Sequence, residues 1–207
     1  MTRFLIVLVL LVSCDSMAQT YTKIADASFC KKKINRHVKS TSSIVANFSE
    51  QNYSSMFNSV KTAKGILKYK QTDKIRWEHT DPKKQIILIN GANIRLEEDG
   101  KEINNAAAIR VVKKVKSLML QLFNGKFLDE KEFNIAYYQN NNYYKLILKP
   151  KSSRTSRYIS IIEIVFDKKL LSIHKLILKE TDEDKIVYTF SSIKLNNSVS
   201  DSNFTLF

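Results

Sequence analysis

Apolar and polar residues alternate in short runs over much of the chain, the period of strands with one buried face. The clearest run is 74–80. There Ile75, Trp77 and His79 point one way and Lys74, Arg76, Glu78 and Thr80 the other. Ile66, Leu67 and Tyr69 mark the strand before it, with Gln71-Thr72-Asp73 as the turn between them. Asp81-Pro82 ends the run, because proline cannot donate to a ladder. Residues 85–90 (QIILIN) form the next strand, and Asn90-Gly91 is a hairpin signal. Upstream, Ile44, Ala46 and Phe48 alternate within 44–53, followed by a polar connection over 54–63. Downstream, 93–97 continues the meander to a turn at Glu98-Asp99-Gly100. The second half reads as strands over 133–139, 143–148, 158–166, 170–181 and 185–195; in the last, Ile186, Tyr188 and Phe190 share a side.

Two stretches have the helical period instead. Residues 24–40 place Ile24, Ala27, Ile34 and Val38 near helical spacing, with Lys31 to Lys33 and Arg36 on the polar side. Asp26 or Ser28 can cap the start. Residues 104–123 carry a wide apolar arc of Ile109, Val112, Val115, Leu118, Met119, Leu122 and Phe123, against a narrow polar line of Arg110, Lys114, Ser117 and Gln121. Asn104 or Asn105 can cap it, and Asn124-Gly125 ends it. Such a stripe is ordinary for a helix packed on a sheet, and equally suits a lid over an apolar space.

Residues 1–18 have the anatomy of a signal peptide: Arg3, then an apolar run over 4–12, too short for a retained membrane span. Ser16-Met17-Ala18 before Gln19 has small residues at a cleavage position, which is the exit adopted here. The alternative is the lipobox-like Leu11-Val12-Ser13-Cys14, which would anchor the protein through a lipid on Cys14. With release after Ala18, Cys30 is the one remaining cysteine, and a core role suits it better than a nucleophilic one. No repeat or linker divides the rest, so residues 19–207 are expected to form a single domain.

Composition adds a strong charge. The formal net charge is +14 and is unchanged by removing residues 1–18, which carry Arg3 and Asp15. Such a balance suits an anionic membrane surface or an acidic protein, although a solvated basic surface is the plainer reading. The lysines are scattered and no recognition-helix, zinc-finger or RNP-like pattern accompanies them, so no nucleic-acid partner is expected. The basic, Ser-rich loop 149–157 (KPKSSRTSR) is the best place for phosphate headgroups or an acidic partner, and is otherwise a surface loop. His37, His79 and His174 lie apart without metal-ligand spacing; His37 reads as a surface or packing histidine. With no glycine-rich phosphate loop and no GxSxG, neither catalysis, metal nor cofactor is expected.

Phe48-Ser49-Glu50-Gln51, Gly65, Asp73-Lys74-Ile75-Arg76-Trp77-Glu78, Pro82 and Asn90-Gly91 resemble, in order and spacing, the LolA-like outer-membrane lipoprotein carriers. Residues 196–207, ending NFTLF, are a weaker second match. The resemblance implies an α+β fold: a half-open, strongly curved antiparallel β-barrel with helices closing its concave apolar face. It implies a soluble, monomeric periplasmic carrier that is not an enzyme. Its cargo is the acyl chain of a lipoprotein, taken from an inner-membrane releasing complex to an outer-membrane acceptor. A shuttle must diffuse, which also favours release after Ala18. With the strand parity above, the expected lining is Phe48, Tyr69, Ile75, Trp77, Ile87, Ile89, Ile109, Val112, Met119 and Phe123; a one-residue slip would send a whole strand's set outward. Family carriers often have a lid-holding arginine six residues after the glycine, then proline. Here Gln71 and Thr72 stand there. That departure keeps open another lipid cargo, such as a pigment precursor or glycolipid. A basic adaptor for an acidic protein or membrane surface, with the interior merely a core, is the alternative from a different class.

Overall fold

The computed structural model describes residues 20–56, 59–71, 73–105, 109, 119–205 and 207. The signal-peptide reading, with Cys14, and Val112 lie outside the described residues, as does most of the second helix.

Alternating sequence runs become strands β1 (Thr22–Lys23), β2 (Ser43–Tyr53), β3 (Lys61–Lys70), β4 (Lys74–Asp81), β5 (Gln85–Asn90), β6 (Asn93–Glu98), β7 (Lys101–Glu102), β8 (Phe133–Gln139), β9 (Tyr143–Pro150), β10 (Ile161–Asp167), β11 (Ile173–Lys179) and β12 (Lys185–Leu195). They form one twelve-stranded sheet in the order β1-β8-β9-β10-β11-β12-β2-β3-β4-β5-β6-β7, with every pairing antiparallel. The sheet is curved and does not close, so the fold is an open half-barrel of α+β class. Its seam is β12 against β2, from Lys185 opposite Tyr53 to Leu195 opposite Ile44.

The turn chemistry follows the residues. Asp73 takes a left-handed φ of 62° between β3 and β4, and Asp99 and Gly100 (φ 49° and 81°) turn β6 into β7. Between β5 and β6 the two loop residues are Gly91 and Ala92, with Gly91 at φ 59°, one place later than Asn90-Gly91 suggests.

Helix α1 (Ser28–Ser40) starts four residues later than the apolar spacing predicts. Asp26 accepts a hydrogen bond from the Ser28 N–H (2.9 Å) and marks the turn-in. The chain before it is extended instead, with Thr22 opposite Gln139 and the Ile24 N–H donating to the Tyr137 carbonyl. A sheet edge far along the sequence satisfies that backbone, which local periodicity cannot report. A helical segment over 119–124 follows, ended by Gly125 at φ 81° and a 3₁₀ turn Lys126–Leu128.

The concave side of the sheet carries the main core. Cys30, Ile34 and Val38 from α1, Met119, Leu122 and Phe123 from the helical segment, and Phe127 from the 3₁₀ turn pack into one apolar cluster with the strands. Burial drives the Cys30 thiol pKa up to about 11, so it is an inert core residue. On the convex side, Ile86 and Leu88 are buried outside that cluster, and the C-terminal 3₁₀ turn Asp201–Phe204 sits against β4 and β5 with Phe204 1% exposed.

Candidate ligand cavity

Register places the expected strand residues in rows on one face. Ala46, Leu67, Trp77 and Ile87 lie opposite one another across β2 to β5; Ile44, Tyr69, Ile75 and Ile89 form the next row. Phe48 lies opposite Gly65, whose missing side chain lets the Phe48 ring lie across it: a Cβ there would overlap that ring and the Glu78 carbonyl oxygen. Phe48 then packs on Trp77 at 4.5 Å between ring centroids, and Trp77 meets Tyr188 edge-on at 5.0 Å. The helical roof reaches the same surface through Phe123, stacked on Tyr69 at 5.1 Å.

A polar group edges this aromatic cluster. His79 Nε2 is 2.9 Å from Glu50 Oε2. Burial first, and the Glu50 charge second, hold the Tyr188 hydroxyl far above its ordinary pKa, so it stays protonated.

Where the C-terminal end of α1, the helical segment and the sheet meet, packing leaves a cavity with about 40 Å³ of room for the centre of a water molecule. That admits one or a few waters and no more. Its walls are His37 and Val38 of α1 with Thr41 just beyond, Ile44 and Ala46 of β2, Leu67 of β3, Leu122 and Phe123 of the roof, and Phe190, Ile193 and Leu195 of β12. Phe166, Leu171, Ser172 and Ile173, around the β10–β11 turn, line a further side.

Of the expected lining, Phe123 borders this cavity. Phe48, Tyr69, Ile75, Trp77, Ile89 and Met119 are buried in the core that continues from it, and Ile87 is half-buried against that core. Ile109 is half-buried, its N–H bonded to the Asn105 carbonyl at 3.0 Å. Sequence reading missed His37, Leu67, Phe166, Leu171, Ser172 and Phe190 as wall residues. Parity was enough to find Leu67, two places before Tyr69, and Phe190, two after Tyr188. Leu171 and Ser172 had no signal: Leu171 is held at φ 54° in a turn where the Asp167 carboxylate accepts from the Lys169 and Leu170 N–H groups.

Two polar atoms of cavity-lining residues stand out. His37 Nε2 and Ser172 Oγ are buried, and among the described residues no group hydrogen-bonds to either. Burial lowers the His37 pKa, so the ring is neutral near pH 7. Gln71, at the place of the family's lid-holding arginine, donates its side-chain N–H to the Lys39 carbonyl near the end of α1 (3.2 Å). Among the described residues no cluster of three or more His, Cys, Asp or Glu could hold a metal ion, and no helix is long and apolar enough to cross a membrane.

Comparison with known proteins points the same way as the fold. Residues 39–207 match the family model of the outer membrane lipoprotein carrier protein LolA. No curated protein matches significantly in sequence. Among solved structures, a LolA superfamily protein from Nitrosomonas europaea is 11% identical, with a TM-score of 0.43 over 84% of this chain and 96% of that one. A putative outer membrane lipoprotein-sorting protein domain from Vibrio parahaemolyticus is 6% identical, with a TM-score of 0.41 over 85% and 95%. The Pseudomonas aeruginosa MucA/MucB complex contributes a chain 12% identical, with a TM-score of 0.46, of which 60% is covered by 87% of this one. With the family model running from the end of α1 through β2 to β12 and on to the last residue, the chain belongs to the LolA family of outer membrane lipoprotein carriers.

Proposed function

We propose that this chain is a periplasmic carrier that takes the acyl chains of a lipoprotein between its helical roof and the concave face of its sheet, and conveys them towards the outer membrane. The observation that carries this reading is the cavity at the roof–sheet junction, continuous with an apolar core and set in a fold of the carrier family.

In the closed form the cavity is a seed. Ligand pockets usually span about 300–1,000 Å³, so loading must lift the 119–124 segment and the end of α1 from the sheet. That exchange is favourable on balance. Side chains such as Met119 and Phe123 trade protein neighbours for hydrocarbon at little net cost, while about a dozen methylenes leaving water gain about 10 kcal/mol. The lining is mostly aliphatic and aromatic, which favours adaptable contact and permits release. Phe48, Tyr69, Ile75, Trp77, Ile87, Ile89, Ile109, Val112, Met119 and Phe123 are the residues proposed to meet the cargo as the space widens. The activity is binding, with no bond made or broken.

Native mass spectrometry of the mature protein, purified without detergent from a periplasmic extract, tests this. A bound acylated protein is the expected result. A small lipid mass would keep the carrier but change the cargo. A clean empty mass, with no uptake of a fluorescent acyl probe, would refute the carrier reading and leave a basic adaptor built round a solid core.

A further inference from the structure

Among the described residues the cavity lining is apolar except for His37, Thr41 and Ser172; the Thr41 hydroxyl donates to the His37 carbonyl, whereas His37 Nε2 and Ser172 Oγ are buried with no hydrogen-bond partner among the described residues. A buried polar group left unpaired is destabilising and uncommon, so two on one small cavity need a reason. Both are held in place by local structure. Ser172 is 6% exposed and follows Leu171, whose left-handed backbone is unusual for a bulky residue. The Leu171 N–H donates to the Asp167 carbonyl, and the Ser172 carbonyl accepts from the Asp167 N–H (2.8 and 3.0 Å). His37 belongs to the last turn of α1, where its carbonyl accepts from the hydroxyls of Ser40 and Thr41, both at 2.9 Å.

We propose that His37 and Ser172 form a polar subsite for the head end of the acyl cargo, donating hydrogen bonds to an uncharged ester or amide carbonyl while the hydrocarbon runs on over Leu67 towards Trp77. This rests on the carrier reading and adds to it an orientation and a preferred headgroup. The Ser172 hydroxyl is a donor, and so is Nε2 in one tautomer of the neutral His37 ring; a carbonyl oxygen, with two lone pairs, has the capacity to accept from both. No lysine, arginine, aspartate or glutamate is among the described residues lining the cavity. A carboxylate or phosphate would lose its hydration there with no cation to meet it. A bare hydrocarbon would leave both donors unmade. The path inward follows register: Leu67 on the cavity wall lies opposite Trp77, and Ala46, also on the wall, shares a face with Phe48.

The test uses three pyrene-labelled probes of equal chain length, a methyl ester, a free carboxylate and a plain hydrocarbon. Each is titrated into the mature protein and into Ser172→Ala and His37→Phe, with thermal melts of the empty proteins alongside. The mature protein is expected to bind the ester more tightly than either other probe. Each substitution is expected to weaken the ester about five- to tenfold, the weight of one net hydrogen bond, and to leave the hydrocarbon within about twofold. Removing an unpaired buried hydroxyl is expected to leave the Tm of empty Ser172→Ala unchanged or raised. Equal losses for ester and hydrocarbon, or a marked fall in Tm for Ser172→Ala, would overturn the subsite, because both are the signs of a structural role. Hydrocarbon binding without ester preference also removes it but spares the carrier, with the two polar atoms serving trapped water only. Failure of all three probes on the mature protein removes the carrier reading and the subsite with it. If His37→Phe does not fold, Ser172→Ala decides the matter alone.

Discussion

At Gly65 the family signature has a steric cause. The residue is an ordinary strand position whose side-chain space is already occupied by the Phe48 ring and the Glu78 carbonyl. Gly65→Ala must push the ring off Trp77 or part β3 from β4, and is expected to cost about 1–3 kcal/mol in urea unfolding, as overpacking does. A change in the Trp77 near-UV signal should accompany it; unchanged stability would mean that this packing is wrong. Glu163 has a different logic. Burial alone would push its carboxyl pKa up, but Lys145 at 2.6 Å and Lys179 at 2.9 Å outweigh that and hold it below the ordinary carboxylate value. A carboxyl with a depressed folded pKa adds stability above its unfolded pKa of about 4.3, and that stability is lost as pH falls through the folded value. Glu163→Gln is therefore expected to cost about 1–3 kcal/mol at pH 7, with the gap to the parent closing below about pH 4. A pH-independent gap would assign Glu163 a packing role instead. Residues like Phe48 and Trp77 were legible because their faces repeat every second position. His37 and Ser172 were not, because an unpaired buried atom is a property of the assembled walls.

Among the elements, the C-terminal segment shows how a visible motif can hide its role. The NFTLF ending was recognisable as a family mark, yet nothing local says that it lies on the outside of the sheet. There Phe204 covers the convex side, and a ring of basic residues from β3 and β4 holds the backbone around it. Lys70 and Lys74 reach Asp201 at 2.8 and 3.0 Å, and Lys68 reaches Asn203 at 2.6 Å. The two ion pairs to the exposed Asp201 are each worth little, so the buried ring should dominate. Phe204→Ala is expected to cost about 3–5 kcal/mol, and Asp201→Asn far less, because its ion pairs are exposed to solvent. Equal effects from the two, measured by chemical unfolding, would show that the charges and not the ring fasten this segment. Strands and hairpins were the most readable elements, since alternation and turn residues are local. The start of α1 was not, because Ile24 and Ala27 mimic a helical face while the preceding backbone pairs with β8. Some lysines that read in sequence as scattered charge turn out to have this internal task as well.

For the whole molecule, the two halves of the chain are joined where sequence reading is blindest. Neighbouring hairpins were legible, but the β12–β2 seam and the β1–β8 pairing bring together residues far apart in the chain, and no local pattern encodes them. That seam lets α1 and the 119–124 segment share one concave face, and the cavity lies at their junction. Strand ladders are held by backbone hydrogen bonds on both sides from β8 round to β6. The roof rests on the sheet largely through side chains, with the Gln71–Lys39 hydrogen bond as one backbone tie. Opening should therefore be confined to the roof, the low-stability part of the molecule. Hydrogen exchange with and without a bound acyl probe is expected to change amide protection in 37–41, 119–124 and the β10–β11 turn, and to leave β3 and β4 as they were. Gln71→Ala, which releases the tie, should speed probe uptake by a few fold, since one exposed hydrogen bond is worth about 0.5–1.5 kcal/mol. Protection changes confined to the convex side or to the connection 151–157 would place the acyl chain outside the half-barrel, and the cavity would then be no more than a packing gap.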